Sequence, residues 1–221
     1  DKRLCFPVGV LRASLCEPEY RLAQKYGRVL KVHKAAFYKK APLFRRWVDE
    51  MYGMRRAFRD AGNEQYQYFV KLLMNSLYGK FGQRTDEWTQ ERTCPVEENW
   101  QRTLIDFDTG EKFLYKAVGG YVWKRIGKKE GFDAMVAIAA FVCSYARAYL
   151  FELMTMAGRE HVFYTDTDSL IVDHTGMHNL KKVLSETLLG ALKVEAMDGS
   201  LLIHNLKDYS FAGETKIKGV R

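Results

Sequence analysis

Apolar positions along the chain change their period several times, and each change predicts an element. Residues 3–11 (RLCFPVGVL) and 28–38 (RVLKVHKAAFY) are short runs rich in β-branched and aromatic residues, which predicts strands. Between them Glu17–Tyr26 opens on an acidic turn, where negative charge meets the positive end of a helix dipole. The start therefore reads strand, helix, strand. From Ala41 the spacing becomes three and four through Leu43, Phe44, Trp47, Val48, Met51 and Tyr52, with Arg45, Arg46, Arg55, Arg56 and Arg59 mostly off that stripe, so a helix is predicted. Asp60-Ala-Gly-Asn63 supplies a turn, and a second helix runs from about Glu64 to Lys80, with a left-handed cap expected near Gly79 and Gly82. Two helices joined by so short a turn make an antiparallel hairpin.

Residues 85–131 are polar and punctuated by Asp108-Thr-Gly110 and Gly119-Gly120, while Tyr121, Trp123 and Ile126 keep strand-like spacing; an inserted β-rich module is expected. Phe132 to Ala157 returns to a long apolar helix through Val136, Ala139, Ala140, Val142, Cys143, Ala146, Leu150 and Met154, whose wide face of small residues suits packing under a sheet. In Glu160–Asp173 the runs HVFY and LIV flank TDTDS, the plan of a β-hairpin with a polar tip. Gly176, between His174 and His178, argues against a helix, and the two histidines read as a surface loop rather than a metal site. The tail from Leu188 alternates strand-like pieces (LLIHNL, KDYSF, KIKGV) with turns.

Composition adds bounds. With 221 residues, 47% of them apolar, the chain is long enough for one or two compact bodies, and a wholly disordered protein is excluded. The net charge of +8 is uneven: residues 1–84 hold 18 basic and 7 acidic side chains, whereas residues 85–221 hold 17 and 20. A basic half attracts polyanions such as nucleic acid, nucleotide phosphates or acidic headgroups. The most apolar stretch, Ala134 to Cys143, runs into Arg147 and is shorter than the about 20 residues that span a bilayer, so no membrane partner is expected. No apolar run follows Asp1-Lys-Arg, so no secretory signal is read. Cys5, Cys16, Cys94 and Cys143 lack the close pairing of a zinc site and read as reduced thiols of a cytosol-like compartment.

Two constellations carry chemistry. In Tyr164-Thr-Asp166-Thr-Asp168-Ser169, an extended backbone would project both carboxylates to one side. Two such charges need a cation between them, and hard oxygen ligands suit Mg²⁺. A DxD also describes a solvated acidic turn; here apolar strands pin both ends. In Lys71-Leu-Leu-Met-Asn75-Ser-Leu-Tyr78-Gly79-Lys-Phe-Gly82, Lys71, Asn75 and Tyr78 fall within roughly 60° on one helix face. A cation there pairs with phosphate and the ring packs on a sugar or base. An ordinary amphipathic helix with a solvated lysine explains Lys71 alone, but not its pairing with the DTD hairpin.

Lys-xxx-Asn-Ser-x-Tyr-Gly followed by Tyr-x-Asp-Thr-Asp-Ser resembles the second and third polymerase motifs of the family B DNA polymerases, and Lys207-Asp-Tyr209 falls where that family carries Lys-x-Tyr. NSLYGKFG is most similar to the protein-primed phage and plasmid branch. The resemblance implies an α+β polymerase palm, an antiparallel sheet packed on helices, with a two-helix fingers excursion and a β-rich insertion. Its parts would be palm over 1–40, fingers over 41–83, insertion over 84–131, and over 132–221 the rest of the palm with the catalytic hairpin and the start of the thumb side. Protein-primed relatives use such an insertion to encircle the template, aiding processivity and strand displacement.

The resemblance further implies Asp168 and Asp166 as catalytic and metal-binding carboxylates, Lys71 on the incoming triphosphate, and Asn75 and Tyr78 lining the base-pair pocket. Lys207 and Tyr209 would steady the primer strand. Arg59 is a second phosphate contact under this reading, its alternative being a surface pairing with Asp60. The implied reaction is template-directed attack of a primer 3′-hydroxyl on a dNTP by a two-metal Mg²⁺ mechanism, with a DNA primer-template, dNTP and a terminal protein primer as partners. Fingers helices that rock inward would close the site.

The family's first motif, Asp-x-x-Ser-Leu-Tyr-Pro, is not found in the chain and would lie before residue 1. A fragment of a longer polymerase, or a product that has lost part of its site, is expected. Catalysis by the isolated chain is then weak or nil. The rival is a non-catalytic palm and fingers remnant that binds DNA or dNTP. A nucleotidyl cyclase or other palm-like transferase explains the DTD hairpin but not Lys71, Asn75 and Tyr78. A cytoplasmic location, in a bacterial, phage or plasmid replication context, follows only from that function.

Overall fold

The computed structural model describes residues 8–105, 110–197 and 199–217. Its helices are α1 (Glu17–Tyr26), α2 (Arg45–Asp60), α3 (Glu64–Phe81), α4 (Val136–Ala157) and α5 (His174–Leu180). The strands are β1 (Arg84–Thr93), β2 (Trp100–Ile105), β3 (Lys112–Val118), β4 (Tyr121–Glu130), β5 (Val162–Asp166), β6 (Ser169–Val172), β7 (Leu201–Asn205), β8 (Asp208–Phe211) and β9 (Glu214–Ile217). All three sheets, β1-β4-β3-β2, β5-β6 and β7-β8-β9, are antiparallel, so the fold class is α+β. The residues group into two units, Asp1–Leu43 with Phe141–Arg221, and Phe44–Ala140.

In the unit Phe44–Ala140 the expected two-helix hairpin forms as α2 and α3. Gly62, at φ +68, closes α2: its N–H bonds Arg59 O at 3.0 Å and the Asn63 N–H reaches back to Phe58 O at 2.8 Å, satisfying carbonyls that the helix end leaves free. The Asn63 side chain then accepts the Tyr66 N–H at 3.2 Å and starts α3. The left-handed glycine therefore lies in the turn and not, as the sequence predicts, at the end of α3. Gly79 is helical and Gly82 has φ −97. Gly82 serves a close approach instead, since a Cβ there would stand 3.2 Å from the Ala139 Cβ. Phe44 against Phe81 (5.2 Å between centroids) and Phe58 stacked on Tyr66 (5.3 Å) close the hairpin at both ends.

The β-rich segment that follows is a four-stranded antiparallel sheet in which β2, β3 and β4 follow one another and β1 pairs with β4. Gly119 and Gly120, at φ +62 and +81, make the two-residue turn between β3 and β4, a conformation that glycine adopts without a Cβ penalty. Beside that turn, Ala117 and Val122 pair across the strands and are the buried positions. Asp108 and Thr109 of the expected turn lie outside the described residues.

In the other unit the strand expected over 28–38 is absent. Residues 28–40 have no regular structure, and Val29, Leu30, Val32 and Phe37 are exposed. A strand needs a ladder partner, and among the described residues none pairs with this segment. Residues 3–7 of the first predicted strand lie outside the described residues, and 8–11 form no strand. The helix between them does form, at Glu17–Tyr26. It docks on α4 through the Arg147–Glu19 ion pair at 2.7 Å and the Tyr26 ring set edge-on to Phe151 at 5.1 Å. Burial pushes the Glu19 carboxyl up, but the Arg147 guanidinium and the Cys16 N–H outweigh it and hold the group low.

Helix α4 continues through Arg147, so the apolar run is longer than the stretch that ends at Cys143. By length and composition it is the one helix among the described residues that could cross a membrane. Its Leu153 and Ala157 form a core with Leu180, against which Val162, Leu170, Val172, Val183 and Leu192 pack. This core seats the β5–β6 hairpin on α4 and α5. Helix α5 corrects the loop expected around Gly176. Asp173 caps it by accepting the Gly176 N–H at 2.8 Å, and Gly176 fits because a Cβ there would meet Val172 and His161 at 3.0 and 3.1 Å. His161 locks the same corner, its Nδ1 lying 2.8 Å from Asp173 Oδ2.

Candidate functional site

The expected hairpin is present, with Asp166 paired to Ser169 and Thr167-Asp168 as its turn. Its tip differs from the sequence expectation. Thr167 has φ +55, so the backbone is not extended from Asp166 to Asp168 and the rule that residues two apart share a side does not apply. The Asp168 N–H turns back on Asp166 O at 2.6 Å, the Thr167 hydroxyl donates to Asp166 Oδ1 at 3.0 Å and the Ser169 hydroxyl to Asp166 O at 3.1 Å. Asp166 is half-buried and Asp168 is exposed.

A second hairpin turn meets this one. Leu206-Lys207 joins β7 to β8, and Lys207, at φ +57, donates from Nζ to both oxygens of Asp166 at 2.5 and 2.6 Å. The Lys207 N–H bonds the Tyr164 hydroxyl at 2.9 Å. The buried rings of Tyr164 and Tyr209 lie 4.8 Å apart, and Lys216 Nζ stands 5.9 Å from the Tyr209 ring. The Lys207 hydrogen bonds hold the Asp166 carboxyl below the ordinary carboxylate range, and in return the Asp166 carboxylate raises the Lys207 ammonium above its usual value. Lys207 and Tyr209 thus reach the DTD turn itself, through Asp166 and Tyr164.

Lys71, Asn75 and Tyr78 sit on α3 in the unit Phe44–Ala140, all three exposed on one helix face. A solvated cation, an amide and a ring are available there to a ligand. Arg59 has a partner already, its Nε lying 3.5 Å from Asp60 Oδ1 on the exposed end of α2.

Sequence reasoning missed Tyr164 as a site residue. Its signal was its position two residues before Asp166 on β5, which places both on one face of the strand; the residue it would meet, Lys207, is far off in the chain.

Two carboxylates and neighbouring hydroxyls are hard oxygen donors of the kind Mg²⁺ takes, with phosphate and water filling its other positions. Asp168 fits such a role directly, whereas Asp166 would share its oxygens with Lys207 and Thr167. Among the described residues no three His, Cys, Asp or Glu side chains gather into a cation site.

Comparison with known proteins agrees with the motifs. Residues 1–116 match the family described as DNA polymerase type B, organellar and viral. The chain is 30% identical over 177 residues to the DNA-directed DNA polymerase of Enterobacteria phage PRD1, covering 79% of this chain and 30% of that protein. It is 26% identical over 196 residues to a probable DNA polymerase of Ascobolus immersus, covering 87% of this chain and 16% of that protein. A DNA polymerase of Kluyveromyces lactis is 25% identical over 183 residues, covering 77% and 18%. Alignments of such coverage necessarily include both α3 and the Thr167-Asp168 turn. The chain spans between about a sixth and a third of these relatives' lengths. No solved structure gives a significant match.

Proposed function

The chain belongs to the organellar and viral type B DNA polymerases, and on that premise we propose that it forms palm and fingers parts of a DNA-directed DNA polymerase, which adds dNTP to a primer 3′-hydroxyl as a template directs. The observation that carries this reading is the meeting of the two turns: Lys207 bonds both oxygens of Asp166 and the backbone of Lys207 bonds Tyr164. Two motifs far apart in sequence thereby make one charged, partly exposed corner seated on the Leu153–Leu180 core.

In this reading α2 and α3 are the fingers and β1–β4 the insertion, with the remaining described elements supplying palm. Lys71 pairs with the triphosphate by charge-assisted hydrogen bonds, Tyr78 packs on the nascent base pair and Asn75 offers it an amide. Arg59, paired with Asp60 through Nε, would offer its remaining guanidinium N–H groups to phosphate. Asp168 would hold a divalent cation, which when bound supplies charge stabilisation to the attacking and leaving oxygens. Lys207 fixes Asp166 beside it, and Lys207 with Tyr209 borders the path of the primer strand. A primer-template, dNTP and, as in the protein-primed branch, a terminal protein are the proposed partners.

Asp166 is already neutralised by Lys207, which also favours a second reading, a module that binds DNA and dNTP without transferring. Single-nucleotide addition to a primer-template separates the two. Addition by the chain, however slow, that Asp168→Asn abolishes supports transfer; ternary complex formation without any addition, also when a segment carrying Asp-x-x-Ser-Leu-Tyr-Pro is supplied ahead of residue 1, supports the binding module; failure to bind DNA or dNTP contradicts both.

A further inference from the structure

The Tyr164 ring is buried against Tyr209, yet its hydroxyl reaches across to a turn of another sheet and accepts the Lys207 N–H at 2.9 Å. Lys207 needs that support. A lysine at φ +57 occupies the left-handed region that side-chain-bearing residues adopt only where surroundings over-determine it. The turn is otherwise local, with the Leu206 N–H bonding the Asn205 side chain at 2.8 Å. In this backbone conformation the Lys207 side chain leaves the turn toward Asp166, whose two oxygens it bonds at 2.5 and 2.6 Å.

We propose that Tyr164 is a positioning residue of the DTD turn: its hydroxyl latches the Lys207 backbone, which keeps the Lys207 ammonium on Asp166 and so sets the charge beside Asp168. The assignment of this turn to nucleotidyl transfer rests on the function proposed above; the latch itself does not. Tyr164 touches no reacting atom and acts through Lys207. Charged and titratable groups facing Asp166 are Lys207 from the β7–β8 turn, Lys216 from β9, with Tyr164 and Tyr209 beneath Lys207.

The test is NMR of the full 221-residue chain at neutral pH, with no nucleotide or DNA present, reading amide hydrogen exchange and the scalar coupling across the Lys207 ammonium–Asp166 carboxylate hydrogen bonds. Tyr164→Phe keeps the ring and removes the hydroxyl that accepts the Lys207 N–H. In it the Lys207 amide should lose its protection and the coupling between Lys207 Nζ and the Asp166 carboxylate should disappear, as it does in Lys207→Met. The Gly176 amide, held by Asp173, should keep its protection in Tyr164→Phe, which a general loosening of the unit would not allow. A Lys207–Asp166 coupling unchanged in Tyr164→Phe overturns the proposal. Should Tyr164→Phe fail to fold, hydrogen exchange of the Lys207 amide in the unmodified chain decides: protection supports the latch, and exchange at the unstructured rate overturns it. A chain that shows the coupling but binds no dNTP would sink the polymerase reading and leave the latch standing.

Discussion

Lys207 Nζ lies 2.5 and 2.6 Å from the two carboxylate oxygens of Asp166, a residue 41 positions earlier in the chain. This pair joins the β5–β6 turn to the β7–β8 turn. It also gives the hairpin tip a built-in counter-charge, the Lys207 ammonium on Asp166.

The pair makes stability depend on pH at two ends. Asp166 is depressed below its unfolded value, so its contribution is present above about pH 4 and is lost as pH falls through the lowered value. Lys207 is raised, so its contribution is present below about pH 10 and is lost as pH climbs through the raised value. Denaturant unfolding of Lys207→Met should therefore show flatter acid and alkaline limbs than the unmodified chain. Identical limbs would contradict the pairing.

Asp173 contributes a second share of the acid limb. The Gly176 N–H, and after it His161, hold its carboxyl low, so its stabilisation too is lost as pH falls through the lowered value. Asp173→Ala removes the cap of α5 and the partner of His161 together. The melting temperature should fall at neutral pH and the difference from the unmodified chain should shrink on acidification. A difference that grows in acid would reverse the sign and refute the assignment.

Helices and hairpins were legible because their signals are local. The stripe from Leu43 to Tyr52, the Asp60–Asn63 turn, Gly119-Gly120 and the apolar runs around TDTDS each lie within one element or turn. What failed was context. The 28–38 run has strand composition but no ladder partner among the described residues, and Gly176 suits a helix because His161 and Val172 crowd it. At the site, residue types were readable and the turn geometry was not, since nothing in the string TDTDS announces φ +55 at Thr167. The contacts of Lys207 with Asp166 and Tyr164 join residues more than 40 apart, beyond any periodicity.

Leu153 anchors the core that seats the hairpin, and it is 3% exposed. Leu153→Ala should lower unfolding free energy by about 2–5 kcal/mol, read from the denaturant midpoint with the slope unchanged. A loss under about 1 kcal/mol would mean that the site collapses around the gap, or that the core does not carry the hairpin.

Lys71 is assigned to phosphate, so its removal should discriminate among ligands. Lys71→Ala should weaken dNTP binding by about tenfold or more, the range of a hydrogen bond to a charged group, and leave the affinity for the unphosphorylated nucleoside unchanged. Equal weakening of both, measured by calorimetry, would place Lys71 away from the triphosphate.

The central claim is that the template chooses the nucleotide. The most direct measurement uses a dideoxy-terminated primer-template, which binds without reacting, and compares the affinity of the complex for all four dNTPs as only the templating base is changed. The account predicts that the preferred dNTP changes with the templating base, always to its complement. A preference that stays the same for every templating base, or no dNTP binding at all, would contradict it.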